Sequence, residues 1–233
     1  MNIFSLIFDA ILYQPMLNFL VWVYIYTNSF GIAVIALTLL IKFVTNPLNE
    51  KALESQKAMA EIQPRLKEIQ AKHKDNPEKQ AQEMMALYKE KKFNPFSGIF
   101  LLFIQIPVIW ALFNVFKAGI VIDPKYLYPF ISLPQNIDPM FLGINLAIPN
   151  IWLAIVTGAA QYFQAKTAIP NMPKSDSKDQ ASQISEMVQK QMIFLLPVIT
   201  FFVLYNLPAA LGLYWLITTV FTIYQQKQIF KKK

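Results

Sequence analysis

Apolar residues in this chain gather in runs too long for a strand and too uniform for the stripe of a surface helix. Five runs read as helices able to cross a hydrocarbon core of about 30 Å: Phe30 to Leu48, Gly98 to Phe116, Ile151 to Ala168, Met192 to Tyr205 and Leu207 to Tyr224. The fourth is short, and tilt or local thinning of the bilayer would accommodate it. An odd number of crossings puts the two ends on opposite sides. Residues 1–29 are apolar and aromatic too, but Asp9, Gln14, Pro15 and Asn18 interrupt them. This stretch reads as a helix lying in the interface, with Pro15 marking a kink, and the membrane domain as residues 30–233.

Between the first two spans the pattern changes to polar helix formers. Glu50 to Lys72 and Glu78 to Lys92 are rich in Ala, Glu, Gln, Lys, Leu and Met. Ile62, Leu66 and Ile69 recur at helical spacing, as do Ala81, Met84 or Met85, and Tyr88, so each arm offers the other an apolar stripe. Residues 49–95 therefore read as a helical hairpin turned at HKDNP. Asn76 is its expected cap and Pro77 its first helical residue, while Pro64 should kink the first arm or begin a new helical piece. The loop PNMPKSDSKDQASQ is expected to be mobile. Five prolines between Pro124 and Pro149 break the loop at the other membrane face into short turns.

Composition agrees with a multi-spanning membrane protein: 55% of the 233 residues are hydrophobic, 14% aromatic and 15% charged. The net charge of +7 matters less than its placement. Ten Lys and Arg fall between Asn49 and Pro95, four between Lys166 and Gln191, and four after Gln226. The segments on the other side hold only Lys125, with Lys117 at their edge, and no Lys or Arg precedes Lys42. Basic residues favour the cytoplasmic side, so the N-terminus is expected outside and the C-terminus and hairpin inside.

The chemistry of common enzymes is missing from the pattern. With no Cys there is no thiolate metal site, disulfide or lipidated Cys. His73, the sole His, sits among charges in the hairpin turn and reads as a solvated loop residue. No phosphate-cradling Gly loop, nucleophile with its base, or His cluster is present, so neither catalysis nor a cofactor is expected. Every Asp and Glu after Asp9 lies in a loop, which argues against a cation-coupled carrier.

Polar residues do occur inside the spans, in rows. Thr38, Lys42, Thr45 and Asn49 share one helical face of the first span, and Thr157, Gln161 and Gln164 one face of the third. Tyr214, Thr218, Thr222 and Gln225 share a face of the last span beside Trp215, and the second span carries Gln105 and Asn114. Such residues commonly hydrogen-bond between helices. A Lys among them is costly unless it meets water, a partner or a ligand, which raises a second reading, a wet cavity within the bilayer.

The run TLLIKFVTNPL, the hairpin ending EMMALYKE followed by NPFSG, the IQIPVIWALF span, and GLYW then YQQ in the last span resemble the YidC, Oxa and Alb family of membrane protein insertases. The resemblance covers nearly the whole chain from about Leu12. It implies an all-α fold of five spans around a hydrophilic groove, open to the cytoplasm and to lipid and closed on the outer side. It also implies a mobile cytoplasmic hairpin and a short form without a large periplasmic domain. By this resemblance Lys42 is the groove cation, with Gln161 and Trp215 as neighbours. Thr38, Thr45, Gln105, Thr157, Gln164, Tyr214 and Thr218 complete the candidate groove. Most members carry Arg at the place of Lys42; Arg keeps its charge almost anywhere, whereas Lys can lose its proton when desolvated. The implied function is insertion and chaperoning of nascent membrane proteins in the cell membrane. The implied partners are lipid, the Sec translocon, the ribosome and signal-recognition-particle targeting, with no role for DNA. The tail KQIFKKK suits ribosomal RNA, anionic lipid or simple positive-inside anchoring. A small-anion channel or carrier using the same Lys is the alternative, and a purely structural assembly factor a third.

Overall fold

Nearly every local signal resolves into helix in the computed structural model, which describes residues 3–91, 97–118, 122–168 and 180–231. The helices are α1 (Ile3–Phe8), α2 (Gln14–Thr27), α3 (Phe30–Lys72), α4 (Pro77–Glu90), α5 (Ser97–Ala118), α6 (Ile151–Ala168), α7 (Gln180–Tyr205) and α8 (Ala209–Lys231). A two-residue pair of antiparallel strands, β1 (Met140–Phe141) and β2 (Ile144–Asn145), sits in the loop between α5 and α6. Leu6–Thr27 and Phe30–Lys72 contain stretches long and apolar enough to cross a membrane, and Ile193–Tyr205 is a shorter apolar helix. Outward faces carry large apolar side chains such as Phe43, Phe103, Trp110, Trp152, Phe202 and Val220, which suit lipid better than water.

Side-chain contacts set the helix directions. Phe30 at the start of α3 meets Phe116 at the end of α5, while Tyr162 of α6 meets Phe194 of α7 and Gly158, a turn earlier, faces Pro197 and Phe201, so each of these pairs is antiparallel. Thr157 of α6 bonds to Gly212 of α8 and Thr167 to Gln226, while Lys42 and Asn46 of α3 bond to Thr222 and Gln225 of α8. Thus α3, α6 and α8 run parallel, and α8 packs against both of the others.

The loop after α5 is tied down at three places. Asn18 of α2 donates through Nδ2 to the Tyr126 carbonyl at 2.8 Å, and its Oδ1 accepts from the Tyr128 amide at 2.7 Å. The Tyr24 hydroxyl donates to the Asn136 carbonyl and accepts from the Asp138 amide at 3.0 Å. The Leu146 and Ile148 carbonyls accept from the Ala210 and Ala209 amides, supplying partners for first-turn N–H groups of α8 that have none within the helix. The Phe141 ring comes so close to Gly31 that a Cβ there would overlap its carbons. The turn of the strand pair places Leu142 and Gly143 at positive φ. Asn150 caps α6 through the Leu153 amide.

The N-terminal stretch is helical on both sides of a π-turn at Asp9–Tyr13, directly before Pro15. The π-turn is the local adjustment at the site where a kink is expected, since Pro15 lacks an amide to donate. Asn28 ends α2 in the left-handed region, which Asn tolerates, and Ser29 caps α3.

Four expectations need correction. First, α3 continues through Pro47 and Pro64 to Lys72, so Pro64 begins no new piece; both rings lie on exposed faces, where the carbonyls they free are not locked in packing. Second, α7 begins at Gln180, inside the segment expected to be mobile; residues 170–179 of that segment lie outside the described residues. Third, the seam of the hairpin is Ile62, Leu66 and Leu87, with Ile69, Met84 and Tyr88 against it, while Ala81 and Met85 are exposed. Fourth, His73 is only 8% exposed, with Nε2 at 2.9 Å from Glu83 Oε1, in ion-pair range but off the line a hydrogen bond needs. The turn itself forms as the residues suggest, with Asn76 Oδ1 accepting from the Lys79 amide and Pro77 opening α4.

Candidate functional site

At about 1.5 Å per helical residue, Lys42 lies roughly 18 Å along α3 from Phe30 and Gln105 roughly 17 Å along α5 from Phe116. By the same rise Gln161 is about 15 Å along α6 and Thr222 about 20 Å along α8. The polar residues of four helices therefore fall at similar depth. Their sequence spacing already put them on single faces; the parallel course of α3, α6 and α8 puts those faces at one level.

Lys42 is 7% exposed. Its Nζ donates to Thr222 Oγ1 at 3.0 Å and stands 5.6 Å from the centre of the Phe221 ring. Among the described residues no carboxylate pairs with it. Glu50, the next acidic residue along α3, instead accepts from Asn46 Nδ2 at 3.0 Å. An ammonium has three N–H donors, and one hydroxyl together with an aromatic ring beneath the charge is a modest substitute for its hydration.

The α3 and α8 faces meet in a polar seam. Below Lys42 and Thr222, Gln225 Nε2 donates to Asn46 Oδ1 at 2.6 Å, and near the end of α8 Lys57 Nζ donates to the Ile229 carbonyl. Among the described residues Gln225 Oε1 is buried with no hydrogen-bond partner, and so is Gln161 Oε1 on α6. Two orphaned amide acceptors and an under-satisfied ammonium make a region that can accept polar groups from elsewhere.

The other candidate residues divide into two sets. Gln105 Nε2 donates to the Tyr214 hydroxyl at 2.7 Å, linking α5 to α8. Gln161, Gln164, Trp215 and Thr218 are half-buried on α6 and α8, and the Thr218 carbonyl accepts from Thr222 Oγ1 at 2.7 Å. Thr38 and Thr157 are fully buried: Thr38 bonds back to the Val34 carbonyl, and Thr157 bonds to those of Leu153 and Gly212. Both hydroxyl protons are thus taken up by backbone carbonyls. Thr45 bonds back to the Ile41 carbonyl and accepts from Asn49 Nδ2. No hydrogen bond joins Lys42 to Gln161, Gln164 or Trp215 among the described residues. Thr222, Phe221, Asn46 and Gln225 were not in the candidate set, although the spacing of Thr222 and Gln225 after Thr218 was a usable signal.

Comparison with known proteins agrees with the resemblance read from the sequence. The model of the 60Kd inner membrane protein family matches residues 22–233. A membrane protein insertase YidC of Chlorobium limicola is 34% identical over 210 residues, 88% of this chain and 34% of that protein. The YidC of Chloroherpeton thalassium is 35% identical over 94% of this chain and 35% of its own length, and that of Geobacter sp. strain M21 31% over 94% and 36%. The chain thus spans about a third of the length of the curated relatives it matches. With the family model covering all but the first residues, the chain belongs to the 60Kd inner membrane protein family, the family of these YidC insertases.

Proposed function

We propose that this chain is a membrane protein insertase that admits hydrophobic segments of nascent proteins into a groove between α3, α5, α6 and α8 and releases them into lipid. The observation that carries this reading is Lys42: a buried ammonium, about 18 Å along α3 from Phe30 and within its apolar first part, held by one hydroxyl and no described carboxylate. In such a place a cation attracts an acidic tail more strongly than it would in water. The tail would occupy the polar layer while its apolar helix leaves sideways. Partitioning of that helix, at about −0.3 to −0.6 kcal/mol per central Leu, Ile, Phe or Val, supplies free energy without a nucleotide.

The arrangement is five crossings, α3, α5, α6, α7 and α8, in the cell membrane, N-terminus outside and C-terminus inside. Alternating helix directions support it, as does the bias of Lys and Arg to one side. The contacts of Asn18 and Tyr24 with the loop at residues 126–138 support an N-terminal helix lying along the outer surface. Nascent chains and lipids are the partners, with the ribosome, signal-recognition-particle targeting and the Sec translocon as delivery routes.

Proteoliposomes holding the full chain test this with a single-span substrate whose outer tail is acidic. Lys42→Arg should insert it as the unaltered protein does, and Lys42→Ala and Lys42→Glu should insert it poorly. Normal insertion by the Glu variant would refute the role of the charge. Anion flux without peptide insertion would favour the channel alternative.

A further inference from the structure

Thr222 is a hydroxyl with both of its functions in use. Its O–H donates to the Thr218 carbonyl at 2.7 Å, one turn back on α8, and its oxygen accepts from Lys42 Nζ at 3.0 Å. The back-bond is the ordinary way a helical Thr disposes of its proton, and it fixes the side-chain rotamer. A fixed rotamer leaves the oxygen lone pairs aimed at one place, and Lys42 Nζ lies there.

A Lys side chain has four rotatable bonds and the freedom to carry its ammonium out of a cavity toward water. Here it does not: Lys42 stays buried, and Thr222 is its sole hydrogen-bond acceptor among the described residues. The helix that offers the acceptor is itself held in register one turn on, by Gln225 to Asn46 at 2.6 Å, and again by Lys57 to the Ile229 carbonyl. An acceptor on a registered, parallel helix fixes the depth and direction of the ammonium. It spends only one of three N–H donors, leaving the rest for an incoming group.

We infer that Thr222 is a positioning residue that holds the Lys42 ammonium in the groove and so sets how strongly that ammonium favours a charged tail over a neutral one. This rests on the insertase reading above. The acidic tail belongs to that reading; its amide counterpart, with Asn for Asp, gains little from an oriented ammonium and is the comparison.

The test uses the full chain in proteoliposomes and two single-span substrates that differ only in Asp or Asn at the same tail positions. The readout is the ratio of acidic to neutral insertion. Thr222→Val keeps the side-chain shape and removes the oxygen, and should lower that ratio about tenfold, the scale of one hydrogen bond to a charged group. Thr222→Ser should restore it. In a Lys42→Ala background Thr222→Val should change the ratio no further, because the two residues act as one unit. A loss through damaged packing would lower both substrates together and would persist in the Lys42→Ala background. A wild-type ratio in Thr222→Val, or an additive loss in the double variant, overturns the role of Thr222 and leaves the insertase reading intact. Absence of insertion by the unaltered protein overturns both.

Discussion

Asn18 is 1% exposed and contributes an amide that bonds across to a loop more than a hundred residues away in the chain. Replacing it with Leu, of similar volume, removes the acceptor for the Tyr128 amide and the donor to the Tyr126 carbonyl while leaving α2 its apolar packing. A typical hydrogen bond contributes about 0.5–1.5 kcal/mol net, so two set the loss of loop anchoring at about 1–3 kcal/mol. At about 1.4 kcal/mol per tenfold, hydrogen exchange at the Tyr128 amide should accelerate about 5- to 140-fold in Asn18→Leu. The measurement is amide exchange by mass spectrometry on the full chain in nanodiscs. The peptide holding residues 136–138, anchored separately by Tyr24, serves as the internal reference. Exchange at Tyr128 within twofold of the unaltered protein would refute the reasoning, since that amide has Asn18 as its acceptor. Equal acceleration at both peptides would show instead that α2 as a whole had come loose.

Two further outcomes follow from the described contacts. Leu87 plugs the seam between α3 and α4 against Ile62 and Leu66, and Leu87→Ala removes about three methylene equivalents, or about 2 kcal/mol. Amide exchange along α4 should rise about 30-fold in that variant, with α6 unchanged; an unmoved α4 would mean that the hairpin is held by something other than this seam. Asp123 accepts from Lys125, Nζ to Oδ2 at 2.7 Å, and this bond holds its carboxyl below the usual carboxylate value and the Lys125 ammonium above its own. A depressed carboxylate contributes at neutral pH and loses that contribution as pH falls through its lowered value. A carboxyl NMR titration should place Asp123 below an ordinary Asp, and Lys125→Ala should return it toward 3.8.

Lys125 shows how a rule of sequence and a fact of structure interlock. It is a basic residue in the loop after α5, where the charge bias read from the sequence leaves few, and Asp123 beside it cancels its charge locally. The hairpin shows the opposite case, in which local signals nearly sufficed. Asn76 and Pro77 encode a helix start in their own chemistry, and the turn forms where they stand. Pro64 begins no new helical piece because local propensity is only a bias. Pro47 and Pro64 remove amides on exposed faces, and the helix passes through both.

By itself, the sequence determined the helices, the level of the polar residues along each, the bias of positive charge, and the oddity of a Lys within an apolar run. Each of these depends on one stretch of chain and on the 3.6-residue period of the helix. Which polar residue meets which was decided by the tertiary structure alone. That Lys42 finds Thr222, that Gln105 finds Tyr214 and that Asn18 clasps residues 126–128 depends on the offset and rotation of helices that no single stretch records. A rotation of one residue, about 100°, would turn Thr222 away from Lys42 without altering any local pattern in α8.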